Sequence, residues 1–392
     1  MEGAPNAQTR WLNSTVLGVG LASLCSDVSH EMATAALPAL LASIGAGSAA
    51  LGLIEGLADG LASFAKLYSG HYSDRLAKRK PLAVVGYVMT AAGMVSFAWA
   101  TTWWQVLFGR AGAWLGRGVR TPVRKVLLTE ATTPETYGRA FGLERSMDSA
   151  GAVIGPLLAV LSLSAFGLRR TFALTLIPGL LAALVIAFLV QEKPHTPRPS
   201  AGLRVGLRGL PATFKRYLAG VGLAGAGDFS NTLLILWATQ AWSPVYGRAE
   251  AATLAILFYV GYNVVYTVSC SVSGFLADAA PKKTVLAAGY ALAVVPAGAL
   301  LLPGASLSKF AVVFGMSGLY MGVWETVESA TAATLLPADA RGLGFGALAT
   351  VNGLGDLASS VIVGALWVLH PAAAMAYVIA TSLGGAALIA AL

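Results

Sequence analysis

Long apolar runs alternate with short polar turns along the 392 residues of this chain. A helix needs roughly 20 predominantly apolar residues to cross the ~30 Å hydrocarbon core of a bilayer. Runs of that kind predict spans near residues 12–43, 48–72, 82–101, 104–130, 138–166 and 169–190. A second set follows near 217–242, 251–277, 284–303, 308–336, 343–369 and 371–392. Between the sets lies QEKPHTPRPSAGLRVGLRGLPATFKR, polar, basic and rich in Pro and Gly, which reads as a linker with at most a short amphipathic helix. The pattern predicts an all-α polytopic membrane protein of twelve transmembrane helices. Residues 1–190 form an N-terminal six-helix bundle, 191–216 a cytoplasmic linker and 217–392 a C-terminal six-helix bundle.

Composition agrees: 56% of residues are hydrophobic and 11% charged, against about a quarter charged in an ordinary soluble domain. A soluble chain so poor in charge would expose apolar surface and aggregate. Placing the N-terminus inside puts seventeen Lys and Arg residues, from Arg10 to Arg341, on the cytoplasmic side and leaves Arg169, Arg170, Arg248 and Lys309 outside. That asymmetry predicts a multi-pass protein of a bacterial inner membrane with both termini cytoplasmic. It also accounts for the net charge of +8 without a nucleic-acid partner. Residues 1–11 are polar and the first apolar stretch is too long for a signal h-region, so no cleavable signal is expected. Cys25 and Cys270 fall inside spans and read as small buried residues, not as a disulfide.

The two halves echo one another. GHYSDRLAKRK from Gly70 matches GFLADAAPKKT from Gly274, pairing Asp74 with Asp278, at an offset of 204. GRAFG from Gly138 matches GLGFG from Gly342, and Asp148 falls on Asn352, at the same offset. SDVSH from Ser26 meets GDFSN from Gly227 at an offset of 201, aligning Asp27 with Asp228. Six-span copies share an orientation, so an axis along the membrane normal relates them, an arrangement that places a substrate site between halves that rock about it.

On these residues the chain resembles the major facilitator superfamily over essentially its whole length. The loop after the second span is similar to that family's signature, Gly-x-x-x-Asp-Arg-x-Gly-Arg-Lys, through Gly70, Asp74, Arg75, Lys78 and Arg79. Tyr72 stands where Leu is usual and Ala77 where Gly is usual. GAVIGPLLA, Gly151 to Ala159, is similar to a Gly-x-x-x-Gly-Pro element associated with proton-driven antiporters, with Ala159 in place of one of its final glycines. The resemblance implies two pseudo-symmetric bundles, alternating access to a central site, and a latch at Asp74 that joins the halves when the protein faces outward. Asp278 is its counterpart in the second half.

Ionisable residues inside a span are functional-site candidates. Asp27, His30 and Glu31 lie at i, i+3 and i+4 and share a helix face. Glu55, Asp59 and Lys66 fall within about 40° of one another at 100° per residue, and Arg117, Arg120 and Arg124 form a second stripe. Span five carries Glu144, Arg145 and Asp148; the second half adds Asp228, Glu325, Glu328 and Asp356. Burial disfavours a charged carboxylate, so Asp27 and Glu31, with no Lys or Arg in their own span, are expected to carry protons together with Asp228, which would face Asp27 across the axis. His30, Glu55, Asp59, Arg117, Trp237, Tyr262, Tyr320, Trp324 and Glu325 are candidates for binding substrate. Trp114, Tyr259 and Tyr266 supply further aromatic surface. Arg120, Arg124, Asp148 and Glu328 are gating candidates, with Glu325 and Glu328 closing against the arginines of span four. Structural hydrogen bonding is the alternative for the span-one cluster, and a divalent metal site a further one.

The chain has no nucleotide-binding Gly-rich loop with Lys-Ser/Thr and no His-Glu-x-x-His, so an enzyme is not expected, nor a cofactor or resident metal. The expectation is a monomeric secondary transporter in the bilayer that exports a small-molecule organic solute or drug against protons. A carrier of an organic anion, metal ion or metal chelate is the alternative on the same fold, and a non-transporting ligand sensor a more distant one.

Overall fold

A computed structural model describes residues 11–46, 48–193, 197, 202–229 and 231–392. Its helices make twelve spans. In the first half these are Ser14–Ser43, Ser48–Ser73, Lys80–Ser96 with a 3-10 turn to Trp99, Trp103–Glu130, Tyr137–Phe166, and Leu168–Leu174 continued by Leu176–Leu189. In the second half they are Ala212–Gly225 continued by Asn231–Tyr246, Arg248–Ala279, Lys282–Leu292 continued by Val294–Leu301, Leu307–Leu335, Arg341–Leu369 and Pro371–Ala390. Among the described residues eight of them are long and apolar enough to cross a bilayer on composition alone. The other four, spans one, two, four and seven, carry the acid cluster, the two charge stripes and a break in the helix.

Local chemistry sets the ends. The Asn13 side chain accepts from the backbone N–H of Thr15 and Val16, both at 3.0 Å, and so satisfies two donors that the first turn leaves free. At the start of span four Gln105 Oε1 reaches back to accept from the backbone N–H of Thr102 at 3.2 Å. Gly167 and Gly247, at φ of 77° and 81°, supply left-handed turns between adjacent spans. In the linker, the helix Leu203–Arg208 packs Leu203 and Leu207 on the main apolar core. Helix resumes at Ala212, earlier than the hydrophobic pattern predicts, because Pro211 caps a turn that still carries Lys215 and Arg216.

The repeat has a physical axis. Lys125 Nζ donates to Ser329 Oγ at 2.9 Å, and Arg341 Nη2 donates to Tyr137 Oη at 3.0 Å. Each of these partners stands 204 residues from the other. Equivalent positions can touch only where the pseudo-twofold axis passes between them.

Closure between the halves occurs at the end that carries the loops after spans two and eight, here the basic end. Span two crosses span eleven where a Cβ on Gly70 would overlap the Gly342 carbonyl oxygen, and span eight crosses span five where one on Gly274 would overlap that of Gly138. Each crossing is sealed by a carboxylate. Asp74 accepts from the backbone N–H of Gly342 and Leu343 at 2.9 and 2.8 Å, and Asp278 from Gly138 and Arg139 at 2.7 and 2.9 Å. Both acids therefore cap the positive end of a helix in the opposite half, where orphan donors and the dipole favour negative charge. Hydrogen bonds continue inward to Ser149–Thr267 at 2.9 Å and Thr350–Ser63 at 3.2 Å, about 17 Å of depth at 1.5 Å per residue.

Beyond that depth the halves part. Gly56, Ser63 and Gly70 repeat at seven residues and share a helix face. Gly70 is in contact with the backbone of span eleven, a Cβ on Gly353 would lie 2.8 Å from Ser63 Oγ, and a Cβ on Gly56 would meet nothing within 4 Å. Spans two and eleven diverge like scissor blades from the basic end, leaving a cleft between the halves.

Overpacking a backbone crossing costs about 1–3 kcal/mol, so Gly138→Leu or Gly342→Leu should force the basic end open. In a Cys25→Ser, Cys270→Ser background, a Ser146→Cys thiol should then react with a membrane-permeant maleimide roughly tenfold faster than with the glycine present. An unchanged rate would show that the crossing does not hold this end shut. Asp74→Asn should act in the same direction to a comparable extent, because one charge-assisted cap is worth about 1.5–3 kcal/mol.

Candidate functional site

Span seven breaks in the middle of the membrane, and the site begins there. Its run AGAGDFSN has two glycines flanking the break: Gly225 packs on Gly355 of span eleven, while Gly227 lies against Thr381 of span twelve. Irregular backbone at this depth is tolerated where it lines a cavity. Asp228 stands in the break, accepts from the Tyr320 hydroxyl, and has its backbone carbonyl bound by Ser359 Oγ. It lines a cavity of about 460 Å³ with Phe229, Asn231, Tyr259, Trp324, Glu325, Asn352 and Asp356. Three carboxylates and three aromatic rings thus face one space, with no Lys or Arg among its lining residues.

The acids of span one are differently housed. Span one is continuous, and it lies on span five through two glycines: a Cβ on Gly151 would be 2.8 Å from Asp27 Cβ, and one on Gly155 would be 2.6 Å from Glu31 Cβ. Close approach presses Asp27 inward, to 6% exposure. Its carboxylate is 3.8 Å from Arg117 Nη2, so the neutralising cation comes from span four. Glu31 is more open and has His30 Nε2 at 3.4 Å. His30 lies against Trp114, ring centroids 4.6 Å apart, and Trp114 donates through Nε1 to Asp59 at 2.5 Å. Arg110 covers the other face of this group, 3.8 Å from the Trp114 ring and bonded to Thr34 Oγ1 at 3.0 Å. Asp27 and His30 are buried and are not among the residues lining that cavity, so Asp27 does not share it with Asp228 as the repeat alignment predicts. The helix break on one side only removes that symmetry.

The tie between the halves at the cavity floor is Arg145. It donates to Asp148 of its own span at 2.8 Å and to the Tyr266 hydroxyl at 2.9 Å, and it pairs with Glu325 of span ten. Glu325 accepts from Tyr266 as well. Arg124 is held within its own half, by Glu144 at 2.9 Å, Asp148 at 3.4 Å and Ser23 Oγ at 2.6 Å. Arg120 is buried over the Tyr87 ring at 4.2 Å. Glu328 remains in the second half, where Trp324 Nε1 at 2.5 Å, Asn352 Nδ2 at 2.6 Å and Tyr290 Oη at 3.2 Å donate to it. The ion pair expected between the arginines of span four and the glutamates is not formed; the contact to Glu325 comes from Arg145 of span five. Asp148 contributes to it from behind.

The remaining candidates divide by position. Trp237 stacks on Trp367 at 3.7 Å in an apolar core and is packing, as is Tyr262, which lies in another core with its hydroxyl accepting from Asn231 at 3.2 Å. Tyr259, one turn earlier, takes the cavity position instead. Asp59 is exposed; the side chain of Glu55 lies outside the described residues. Arg79 is buried and joins Asp74 at 3.4 Å to Glu130 and, through its backbone N–H, to Glu192, so it fixes the loop within the first half and does not cross to the second. Arg75 binds His71 at 2.7 Å, and Lys78 is exposed. Asp27, His30, Glu31 and Asp228 are not gathered around one point, and among the described residues no group of three or more His, Cys, Asp and Glu is arranged to hold a metal ion. Arg145 and Asp356 stand out in the sequence as ionisable residues within spans, but the pattern gives neither them nor Lys125 a role; their partners follow only from the packing.

Known proteins match this architecture. The chain is 28% identical over 369 residues to an uncharacterized MFS-type transporter of Methanocaldococcus jannaschii, covering 93% of this chain and 92% of the relative. Among solved structures, the human organic anion transporter MFSD10 (TETRAN) superposes with a TM-score of 0.76 at 14% identity over 96% of this chain and 99% of that one. A bacterial homologue of the iron transporter ferroportin in an outward-facing state gives 0.74 at 15% identity, over 96% and 98%. The family model of the Major Facilitator Superfamily matches residues 19–360. With twelve spans in two matched sets, closed at one end around a central cavity, the chain belongs to the Major Facilitator Superfamily of membrane transporters.

Proposed function

We propose that the protein is a secondary transporter that exports a small organic solute by alternating access, with protons entering in exchange. It works as a monomer in a bacterial-type inner membrane, with the basic end and both termini in the cytoplasm. The observation that carries this reading is the splay of the halves: backbone crossings at Gly70–Gly342 and Gly138–Gly274, open space at Gly56, and an acid-lined cavity between. A carrier that rocks about a fixed site needs one end sealed by contacts that can be exchanged for their symmetric equivalents.

Proton coupling rests on the acids at the cavity. Asp228 is the carboxylate that a proton or a cationic solute meets in the break of span seven. Glu325 is both cavity lining and the cross-half partner of Arg145. A proton on Glu325 cancels that tie, while Asp148 keeps the guanidinium neutralised within its own half. The basic end can then open without exposing an unpaired charge, whose burial alone would cost several kcal/mol. Asp27 and Glu31 form a second store of negative charge beside Arg117 and His30.

In proteoliposomes, Asp228→Asn should reduce solute flux driven by a pH gradient by about tenfold or more, the equivalent of ~1.4 kcal/mol; a flux near that of the unaltered protein would remove Asp228 from the coupling path. Glu325→Gln should leave solute exchange at equal pH within a few-fold of normal while abolishing accumulation against a gradient. Retained accumulation would mean that the Arg145–Glu325 pair does not couple.

A further inference from the structure

Below the acid-lined cavity is a second one, of about 180 Å³, between spans two, four, five, ten and eleven. Lys66, Arg117, Arg124, Lys125 and Arg145 reach it, as do Glu144, Glu325, Glu328 and Asp356. Most of this charge is already spoken for. Arg124 holds Glu144, Arg145 holds Glu325 and Asp148, and Glu328 is surrounded by Trp324, Asn352 and Tyr290.

Three cations of this cavity have no short carboxylate contact among the described residues. Lys66 makes no hydrogen bond or ion pair among the described residues, although it lines the cavity. Lys125 Nζ has the Ser329 hydroxyl at 2.9 Å and the face of Phe345 at 5.9 Å, with no carboxylate within 4 Å among the described residues. Arg117 reaches Asp27 at 3.8 Å, well beyond the 2.7–2.9 Å of a charge-assisted hydrogen bond. Asp356, the one acid of this cavity without a bonded partner among the described residues, can answer one of the three. Lys66 and Lys125 thus have no carboxylate within 4 Å among the described residues, and charges at membrane depth are retained where function requires them. The Lys125–Ser329 contact also places one of them on the pseudo-twofold axis, where neither half has a privileged claim on what binds there.

We infer that Lys66, Arg117 and Lys125 form an anion subsite at the cavity floor, which receives the carboxylate, sulfonate or phosphonate group of the transported solute. The rest of that solute lies upward against Phe229, Tyr259 and Trp324. This deepens the transport reading and rests on it for the word solute; the anion site itself stands on the cavity and on three cations that face it without a short carboxylate contact.

The test uses the purified full-length protein and its thermal unfolding midpoint, with phenylphosphonate, benzylamine and benzyl alcohol as size-matched anionic, cationic and neutral probes. Phenylphosphonate should raise the midpoint and benzyl alcohol should not. Lys66→Met with Lys125→Met should weaken phenylphosphonate binding by at least tenfold. A purely structural role for these lysines would lower the midpoint and leave phenylphosphonate protection intact. Equal protection by benzyl alcohol, or phenylphosphonate protection that survives the double substitution, would overturn the subsite. Proteoliposome flux is scored separately: loss of proton-driven flux with the anion effect intact would sink the transport reading alone.

Discussion

Two helix crossings without side chains hold this molecule in the conformation described. At Gly70–Gly342 and Gly138–Gly274 the backbones of opposite halves meet directly, and each crossing is finished by an aspartate that caps the helix it touches. Dispersion between backbones is short-ranged, and any Cβ at these four places would replace it with overlap. Everything else about the site follows from closure at that end: the depth of the floor, the side from which the cavity is reached, and the residues that can face each other across the axis.

The charge pattern obeys the same geometry. Span four brings arginines and a lysine to the centre from the first half, and spans seven, ten and eleven bring carboxylates from the second. Neutralisation then occurs at three levels. Arg124 is satisfied within its half, Arg145 shares itself between halves, and Lys66 and Lys125 are left facing space. Pairs of the first kind hold a bundle together; the second kind must be exchanged when the halves rock. Cations of the third kind keep donors free for a ligand.

Departures from twofold symmetry are as informative as the symmetry. The caps at Asp74 and Asp278 match closely, as do the Lys125–Ser329 and Tyr137–Arg341 contacts across the axis. Asp27 and Asp228 do not, since one lies in an unbroken helix pressed on Gly151 and the other in the gap between Gly225 and Asn231. The Gly-x-x-x-Gly spacing of span five, legible as a motif, acts here by letting span one approach until Asp27 is nearly covered.

Periodicity and length determined the twelve helices, because a bilayer requires each apolar run to satisfy its own backbone and so makes the fold locally readable. The offset of 204 likewise announced two copies and singled out the glycines and aspartates that join them. Which charges pair was another matter. That Arg145, rather than a span-four arginine, meets Glu325, that Trp237 and Tyr262 are packing while Tyr259 lines the cavity, and that Lys66 and Lys125 face the lower cavity with no carboxylate within 4 Å among the described residues were decided only in three dimensions. A helix pattern gives each side chain's bearing on its own axis. Rotation about that axis, tilt and the break in span seven set its partners, and those arise from packing between distant segments.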